Sequence, residues 1–190
     1  MHSNKGKIRI IAGEYRGRRI AVPDRPGLRP TPDRVRETLF NWLGQSLDGL
    51  SCLDLFAGSG ALGFEAASRG AARVVMVEHD RAVFEALKKT RDAIGAQQVQ
   101  PVLDDAFNFL KKTAESFDVV FLDPPFGQNV LPAVLRNLKG KSGMRVYVES
   151  DAPVAAAEPW RELKRARAGQ VSYQLLEWRG DDQGGISGDV

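Results

Sequence analysis

The tetrapeptide Asp123-Pro124-Pro125-Phe126 directly follows an apolar segment, Phe117–Leu122, that we predict to be a strand. Its two prolines remove backbone N–H donors and stiffen the turn, so the Pro124 carbonyl and the Asp123 carboxylate can act together as acceptors. Phe126 adds a flat ring on which a base can stack. Two acceptors beside one ring match the exocyclic amino group of a nucleobase, although a plain strand-ending turn is the alternative interpretation.

Such an amino nitrogen is a poor nucleophile because its lone pair is delocalised into the ring. Acceptors on both N–H bonds favour a pyramidal nitrogen and direct the lone pair toward an electrophile, which is catalysis by positioning and electrostatics. Asp123 can also take the proton released after transfer, although solvent can do so instead. We therefore expect group transfer to an amino nitrogen without a covalent enzyme intermediate, and the predicted catalytic residues are Asp123, Pro124, Pro125 and Phe126.

A glycine-rich loop follows an earlier predicted strand. Gly58, Gly60 and Gly63 match the G-x-G-x-x-G pattern of dinucleotide-binding loops, and an acidic residue, Glu78, lies 20 residues after the first glycine. Asp54 argues for a different ligand, because a carboxylate four residues before the first glycine would crowd a pyrophosphate. The same carboxylate suits a ligand that carries an ammonium and a sulfonium, as S-adenosylmethionine does.

The acidic residues of this region describe a pocket for an adenosyl group. Glu78 is an acceptor only when ionised and can take both ribose hydroxyls, and Asp105 can accept the adenine amino group. The alternative is that Asp54 merely caps a turn while Glu78 faces solvent. From the residues alone, the predicted cofactor-binding set is Asp54, Phe56, Gly58, Ser59, Gly60, Glu78, Asp105 and Ala106.

Alternating strands and helices must position these residues. The predicted strands are Ser51–Leu55, Arg73–Glu78, Gln98–Leu103, Phe117–Leu122 and Met144–Glu149, and the predicted helices are Ala61–Arg69, Arg81–Ile94, Ala106–Thr113, Val130–Leu138 and Val154–Pro159. Strands this continuously apolar are buried on both faces, so we expect an α/β fold with a mostly parallel sheet between helices. A closing hairpin is predicted from Leu163–Ala168 and Val171–Trp178 around Gly169.

The N-terminal region is strongly basic. Residues 1–36 contain ten Lys or Arg against three acidic residues, a net charge of +7, whereas the other 154 residues have 17 basic and 21 acidic side chains, a net of −4. A polyanionic partner would relieve this repulsion, and the arginine fork suits phosphates; a solvated arm without a partner is the alternative. The predicted RNA-binding residues are Arg16, Arg18, Arg19, Arg29, Arg34 and Arg36.

Within this region we predict a small β-hairpin, Lys7–Ala12 and Arg18–Val22, followed by an extended proline-rich segment. Asp33 is predicted to cap a helix over Arg34–Leu43. The expected organisation is a flexible tail at 1–6, the basic hairpin and extended segment at 7–32, a methyltransferase domain at 33–179 and a disordered tail at 180–190.

Composition excludes several classes of protein. With 190 residues, 43% hydrophobic and 27% charged, the chain is typical of a soluble globular protein rather than a disordered one. One cysteine and two histidines leave no disulfide framework or Cys/His zinc site, so we expect no metal. We find neither an apolar run long enough for a membrane span nor a secretory signal, and we expect a cytoplasmic monomer.

Asp54–Gly60 together with Asp123–Phe126 resembles class I methyltransferases that act on amino nitrogens. The segments Arg9–Gly13, Arg16–Arg19 and Arg29–Asn41 resemble the RsmD family of bacterial 16S ribosomal RNA guanine-N2 methyltransferases. This resemblance extends from about Lys7 to Trp178. It implies a Rossmann-like sheet of seven strands with the last pair antiparallel, S-adenosylmethionine as cofactor, the tetrapeptide as catalytic loop, and both Thr31 and Arg34 near the cofactor and that loop.

The resemblance also implies a substrate, the N2 of a guanine in 16S ribosomal RNA (position 966 in that family), in free RNA or in an assembling small subunit. We expect an unpaired loop guanine, because a paired amino group cannot enter such a pocket. Amino methyltransferases of another RNA, of DNA adenine or of protein glutamine remain alternatives. A non-catalytic RNA-binding module would not explain why Asp54, Glu78 and Asp123 occur together.

Overall fold

Nine strands and five helices follow one another in the computed structural model, which describes residues 6–25, 31–125, 127 and 129–180. They are β1 (Lys7–Arg9), β2 (Arg19–Ala21), α1 (Asp33–Trp42), β3 (Ser51–Asp54), α2 (Ala61–Ser68), β4 (Arg73–Glu78), α3 (Arg81–Ile94), β5 (Val99–Leu103), α4 (Ala106–Lys112), β6 (Val119–Leu122), α5 (Leu131–Asn137), β7 (Arg145–Ser150), β8 (Trp160–Ala168) and β9 (Val171–Trp178). The predicted bounds of β4, α3 and β9 are reproduced, and most others shift by a residue or two.

Seven of these strands form one mixed sheet in the order β5-β4-β3-β6-β7-β9-β8. The first five run parallel, and β9 lies antiparallel between β7 and β8. The predicted Rossmann-like architecture, including the antiparallel final pair, is therefore confirmed. The chain leaves β3 in one direction toward β4 and β5 and returns on its other side as β6, so the switch point where such folds bind ligands lies between β3 and β6.

The central strands are buried on both faces because helices cover each side. Side chains alternate across a strand, so Cys52 packs with Phe64, Met76 and Phe121 on one face. Leu53, its neighbour in β3, packs into the core of the opposite face. This burial explains why the strands are unbroken apolar runs in the sequence. Because the first five strands of the sheet run parallel, their carboxyl ends lie along one edge.

The N-terminal hairpin β1–β2 packs against the first of these cores. Ile8, Ile10 and Ile20 are buried in it, and the strands pair antiparallel as predicted, although each is shorter than expected. The turn approaches α2 so closely that a Cβ on Gly13 would lie 1.7 Å from the Ser68 carbonyl oxygen, and Gly13 has φ +84°. Only glycine fits that position.

Two local predictions are wrong. Val154–Pro159 is not a helix, because the backbone N–H and carbonyl of Val154 both bond to the Gln174 side chain at 2.7 and 3.0 Å. Asp33 does not cap α1; it is the first helical residue, and Pro32 precedes it without a side-chain cap.

The predicted tails fall mostly outside the described residues, which leaves out 1–5 and 181–190. The Gly6 carbonyl accepts a hydrogen bond from the Val22 N–H at 2.8 Å, so this residue belongs to the hairpin. Within the described part of the chain, none of the helices is both long and apolar enough for a membrane span.

Candidate active site

A cavity of about 660 Å³ opens at the carboxyl ends of β3, β4 and β6, at the switch point of the sheet. Eight of the nine residues expected to bind the cofactor line it: Asp54, Phe56, Gly58, Ser59, Glu78, Asp105, Ala106 and Thr31. Asp123, Pro124 and Pro125 of the predicted catalytic loop line the same cavity, whereas Phe126 lies outside the described residues. The two motifs are therefore brought together as expected.

Gly60, the ninth residue, is not part of the cavity lining. It precedes α2 with φ +80°, a left-handed conformation that glycine adopts without strain. A Cβ at this position would lie 2.7 Å from the side chains of both Phe64 and Leu87. Gly60 shapes the turn into α2. Glycine is needed here because of the backbone conformation and the close packing of the neighbouring side chains, not because of contact with a ligand.

Asp54 lies at the end of β3 and is 1% exposed. Its Oδ2 accepts a hydrogen bond from the Gly63 N–H at 3.0 Å. Burial raises the pKa of Asp54 to about 7, with a further contribution from the negative charge of Glu78, while the N–H groups of Gly63 and Phe56 oppose the rise. A cation in the cavity would favour the ionised carboxylate.

Glu78, at the end of β4, holds the glycine loop against its own strand. Its Oε2 accepts from the Gly58 N–H at 3.0 Å, and its Oε1 accepts from the Asp80 N–H at 2.7 Å. Each carboxylate oxygen can accept more than one hydrogen bond, so both backbone bonds leave capacity for ligand hydroxyls. Glu78 lines the cavity, and the alternative in which it faces solvent is excluded.

Asp105 both caps a helix and lines the cavity. Its Oδ1 caps α4 by accepting from the N–H groups of Phe107 and Asn108 at 2.9 and 3.2 Å. The residue also lines the cavity, as does its neighbour Asp104, which pairs with Lys112 at 2.8 Å. Both acids follow β5. Sequence reasoning singled out Asp105 and missed Asp104.

Asp123 stands beside a second acidic residue that sequence reasoning missed, Glu149 at the end of β7. Asp123 Oδ2 accepts from the Thr31 hydroxyl at 3.3 Å, and Glu149 Oε1 accepts from the Tyr147 hydroxyl at 2.8 Å. Burial, followed by the charge of Glu149, holds the pKa of Asp123 well above its usual value. Burial also raises the pKa of Glu149, against the hydrogen bonds from Tyr147 and Thr31.

The cavity as a whole is acidic. Among the described residues, seven carboxylates line it (Asp54, Glu78, Asp80, Asp104, Asp105, Asp123 and Glu149), against one Lys or Arg side chain, Arg25. Arg25 itself pairs with Asp80 at 3.7 Å. Such a lining repels phosphate groups and favours a cationic ligand.

The predicted RNA-binding arginines separate into three groups. Arg16, Arg18, Arg19 and Arg34 are exposed, and Arg29 lies outside the described residues. Arg36 was assigned wrongly, because its side chain is 0% exposed. Its guanidinium donates to Glu65 at 3.4 Å, to Asp33 at 2.6 Å and to the Arg9 carbonyl at 2.9 Å, so it stabilises the hairpin and cannot reach a phosphate.

Comparisons with known proteins agree with this arrangement. The family described as Conserved hypothetical protein 95 matches residues 8–177. Ribosomal RNA small subunit methyltransferase D of Escherichia coli strain K12 is 44% identical over 93% of this chain and 92% of its own, and the Haemophilus influenzae protein of the same name is 43% identical over 91% and 95%. A solved structure titled putative methyltransferase yhhF from Escherichia coli superposes with a TM-score of 0.84 at 41% identity, covering 93% of this chain and all of that one.

Proposed function

The chain belongs to the ribosomal RNA small subunit methyltransferase D family, and we propose that it methylates the exocyclic N2 of a loop guanine in 16S ribosomal RNA, with S-adenosylmethionine as methyl donor. One observation carries the proposal. The Asp123-Pro124-Pro125 turn lies on the wall of a cavity whose other acidic residues include Asp54 and Glu78. An acceptor set for an amino group therefore adjoins an acidic pocket for a cationic cofactor.

The residues of the cavity fit S-adenosylmethionine by charge and by hydrogen-bonding capacity. Asp54, buried and without a cationic partner in the described structure, suits the positive amino acid part of the cofactor. Glu78 would accept from the ribose hydroxyls, and Asp105 from the adenine amino group. When bound, S-adenosylmethionine supplies a methyl group on a sulfonium sulfur, whose C–S bond breaks as the N–C bond forms and leaves a neutral thioether.

The catalytic turn acts on the other reactant. The Asp123 carboxylate and the Pro124 carbonyl would each accept one N–H bond of the target amino group, which leaves the nitrogen lone pair directed at the methyl carbon. The Thr31 hydroxyl fixes Asp123 by donating to it at 3.3 Å. The methylated nitrogen becomes cationic and then loses one proton, which Asp123 can receive and pass to solvent.

The hairpin offers a surface for the RNA that presents this base. Arg16, Arg18 and Arg19 are exposed on β1–β2 and its turn, while the Gly13 turn is fixed against α2. An arginine cluster held on a rigid element suits phosphates whose positions are also fixed. The curated relatives are named for the RNA of the small ribosomal subunit, which supports 16S RNA as the substrate.

The test is mass spectrometry of nucleosides from 16S RNA, free and within small subunits, after incubation with the protein and isotope-labelled S-adenosylmethionine. The expected product is labelled N2-methylguanosine, which Asp123→Ala should form on the order of 10²–10³-fold more slowly. Duplex DNA and total protein extract serve as parallel substrates. Labelled adenine in DNA or labelled protein, with unlabelled guanosine, would replace the proposal with one of the alternatives.

A further inference from the structure

A second cavity, of about 370 Å³, adjoins the first. The two share Pro124, Pro125 and Glu149 in their linings. The rest of the second cavity comes from the segment after the catalytic turn and from Ser150–Ala155. A base whose amino group lies between Asp123 and the cofactor would have its ring in this second cavity.

Glu149 is the buried acid of the second cavity. It is 6% exposed, whereas the other acid in the lining, Asp151, is exposed. Among the described residues, the Tyr147 hydroxyl donates to Oε1 at 2.8 Å, and the Thr31 hydroxyl lies nearby while it donates to Asp123. None of the ion pairs found among the described residues includes Glu149. A carboxylate with this little compensation has acceptor capacity left for a ligand.

The chemistry of guanine matches two neighbouring carboxylates. Its Watson–Crick edge presents the N1–H beside the N2 amino group, so both adjacent positions are donors. Adenine differs, because its N1 is an acceptor. Enzymes that act on an extruded base read it through this edge.

We propose that Glu149 accepts the N1–H of the target guanine in the second cavity while Asp123 accepts from N2, and that Glu149 thereby selects guanine. This assignment rests on the proposed function. Glu149 is then a specificity-determining residue that contacts substrate. The Thr31 hydroxyl, which donates to Asp123 at 3.3 Å and lies beside Glu149, helps to hold both acceptors in place. Two N–H donors arriving together would also relieve the repulsion between the two acids.

The experiment compares two RNA substrates that carry guanine or 2-aminopurine at the target position. 2-Aminopurine keeps the amino group but has no N1–H, and its N1 accepts hydrogen bonds. The wild-type protein should prefer guanine in kcat/KM by on the order of 100-fold or more, since a buried acceptor is otherwise left unpaired. In Glu149→Gln, the amide can donate to N1 of 2-aminopurine, so this preference should fall by about tenfold or more.

Asp151→Asn is the matched control and should keep the wild-type preference. Because 2-aminopurine also lacks O6, only the change in preference between variants reports on residue 149. A cooperative thermal unfolding transition, compared with that of the wild-type protein, shows whether Glu149→Gln is folded. Should that variant fail to fold, Glu149→Asp gives the second measurement, since the shorter acid should also lower the preference for guanine.

The outcomes separate the two proposals. An unchanged preference in a folded residue-149 variant, with wild-type methylation of guanine intact, overturns the assignment of Glu149 and leaves the proposed function standing. A lost preference in Asp151→Asn instead assigns the acceptor to Asp151 and likewise overturns it. Failure of the wild-type protein to methylate the guanine substrate contradicts the proposed function itself.

Discussion

Acidic side chains withdrawn from water lie in two regions of the described structure: Glu65 lies on helix α2, and the strand-end acids (Asp54, Asp123 and Glu149) lie at the carboxyl ends of the strands. Glu65 of α2 is 0% exposed, and Asp54 and Glu149 are 1% and 6% exposed. Carboxylates withdrawn from water are costly unless hydrogen bonds and opposite charges compensate them. The two groups receive that compensation to very different degrees.

Glu65 is saturated by donors. Its Oε1 accepts from the Arg69 Nε at 2.8 Å and the Ala12 N–H at 3.1 Å, and its Oε2 accepts from the Ile11 N–H at 2.8 Å and the Arg36 Nη1 at 3.4 Å. Two guanidiniums and two backbone groups thus surround one carboxylate. This cluster fixes the N-terminal hairpin to α2 and has no capacity left for a ligand.

The strand-end acids have few donors. No ion pair among the described residues includes Asp54, Asp123 or Glu149. Burial raises the pKa of all three. The difference teaches that a structural acid can be told from a candidate functional acid by its donors. Under the proposed function, the strand-end acids are left for a cation and for N–H groups from outside the chain.

The largest effect is expected from breaking the structural cluster. Glu65→Ala removes the buried carboxylate that Arg36 and Arg69 share, and it removes the acceptor for the Ile11 and Ala12 N–H groups. The free energy of unfolding should fall by about 3–5 kcal/mol, measured by urea denaturation. Glu85→Ala, which removes an exposed pair with Lys88 at 3.3 Å, is the control and should cost about 0.5 kcal/mol or less. Equal losses of unfolding free energy in Glu65→Ala and Glu85→Ala would contradict the structural role assigned to Glu65.

Removing Asp123, the proposed catalytic residue, should lower activity rather than stability. Asp123→Ala should lower the rate of methyl transfer by on the order of 10²–10³-fold, because one acceptor for the amino group is lost. Affinity for S-adenosylmethionine should stay within about twofold of wild type, since Asp123 serves the amino group. Single-turnover transfer of labelled methyl and calorimetry measure the two quantities. A wild-type rate would refute the mechanism.

Neutralising Asp54 tests the cofactor side of the cavity. Asn in place of Asp54 can still accept from the Gly63 N–H, so the change removes charge and little else. We expect affinity for S-adenosylmethionine to weaken by about 1–3 kcal/mol, with a similar loss for Glu78→Ala, measured by calorimetry. Asp92→Asn on the exposed face of α3 serves as the control. Tight binding by both cavity variants would show that the pocket is assigned wrongly.

The smallest effect on stability is expected at the hairpin surface. Replacing Arg16, Arg18 and Arg19 together with Gln should leave unfolding within about 0.5 kcal/mol of wild type, since all three are exposed. RNA affinity should drop, and the slope of its logarithm against that of salt concentration should shrink by about 0.7–0.9 per lost phosphate contact. An unchanged slope in a filter-binding series would remove these residues from the RNA surface.

Sequence reasoning succeeded where chemistry is tied to strand ends. Asp54, Glu78 and Asp123 each end or follow an apolar run, and parallel strands bring those ends to one edge of a sheet. The position of the cavity at this edge could therefore be predicted without knowledge of side-chain contacts. The sheet of seven strands came from the resemblance to a family, whereas the final hairpin was also predicted from the residues around Gly169.

Long-range pairing is what the sequence did not reveal. Arg36 lies in a basic segment, and its buried partner Glu65 is 29 residues away. Its pairing with Asp33, three residues earlier, is equally open to an exposed arginine, so it does not mark Arg36 as buried. Glu149 is the penultimate residue of β7 and belongs to no recognisable motif. Its importance depends on Asp123, which follows the adjacent strand β6. The Val154–Pro159 prediction failed because one distant side chain, Gln174, binds both backbone groups of Val154.

The central claim is that the strand-end acids are left for groups from outside the chain, with Asp54 left for a cation. Proton release on cofactor binding tests the assignment of Asp54 most directly. Since burial raises the pKa of Asp54 to about 7, its contribution to the stability of the free protein is present at acid pH and lost as pH rises through about 7. Calorimetry with S-adenosylmethionine at about pH 6.5, in buffers of different ionisation enthalpy, should show net proton release as a cation shifts Asp54 to its ionised form. The release should diminish in Asp54→Asn and at about pH 8.5. Binding without proton release at the lower pH, or with proton uptake, would contradict the account.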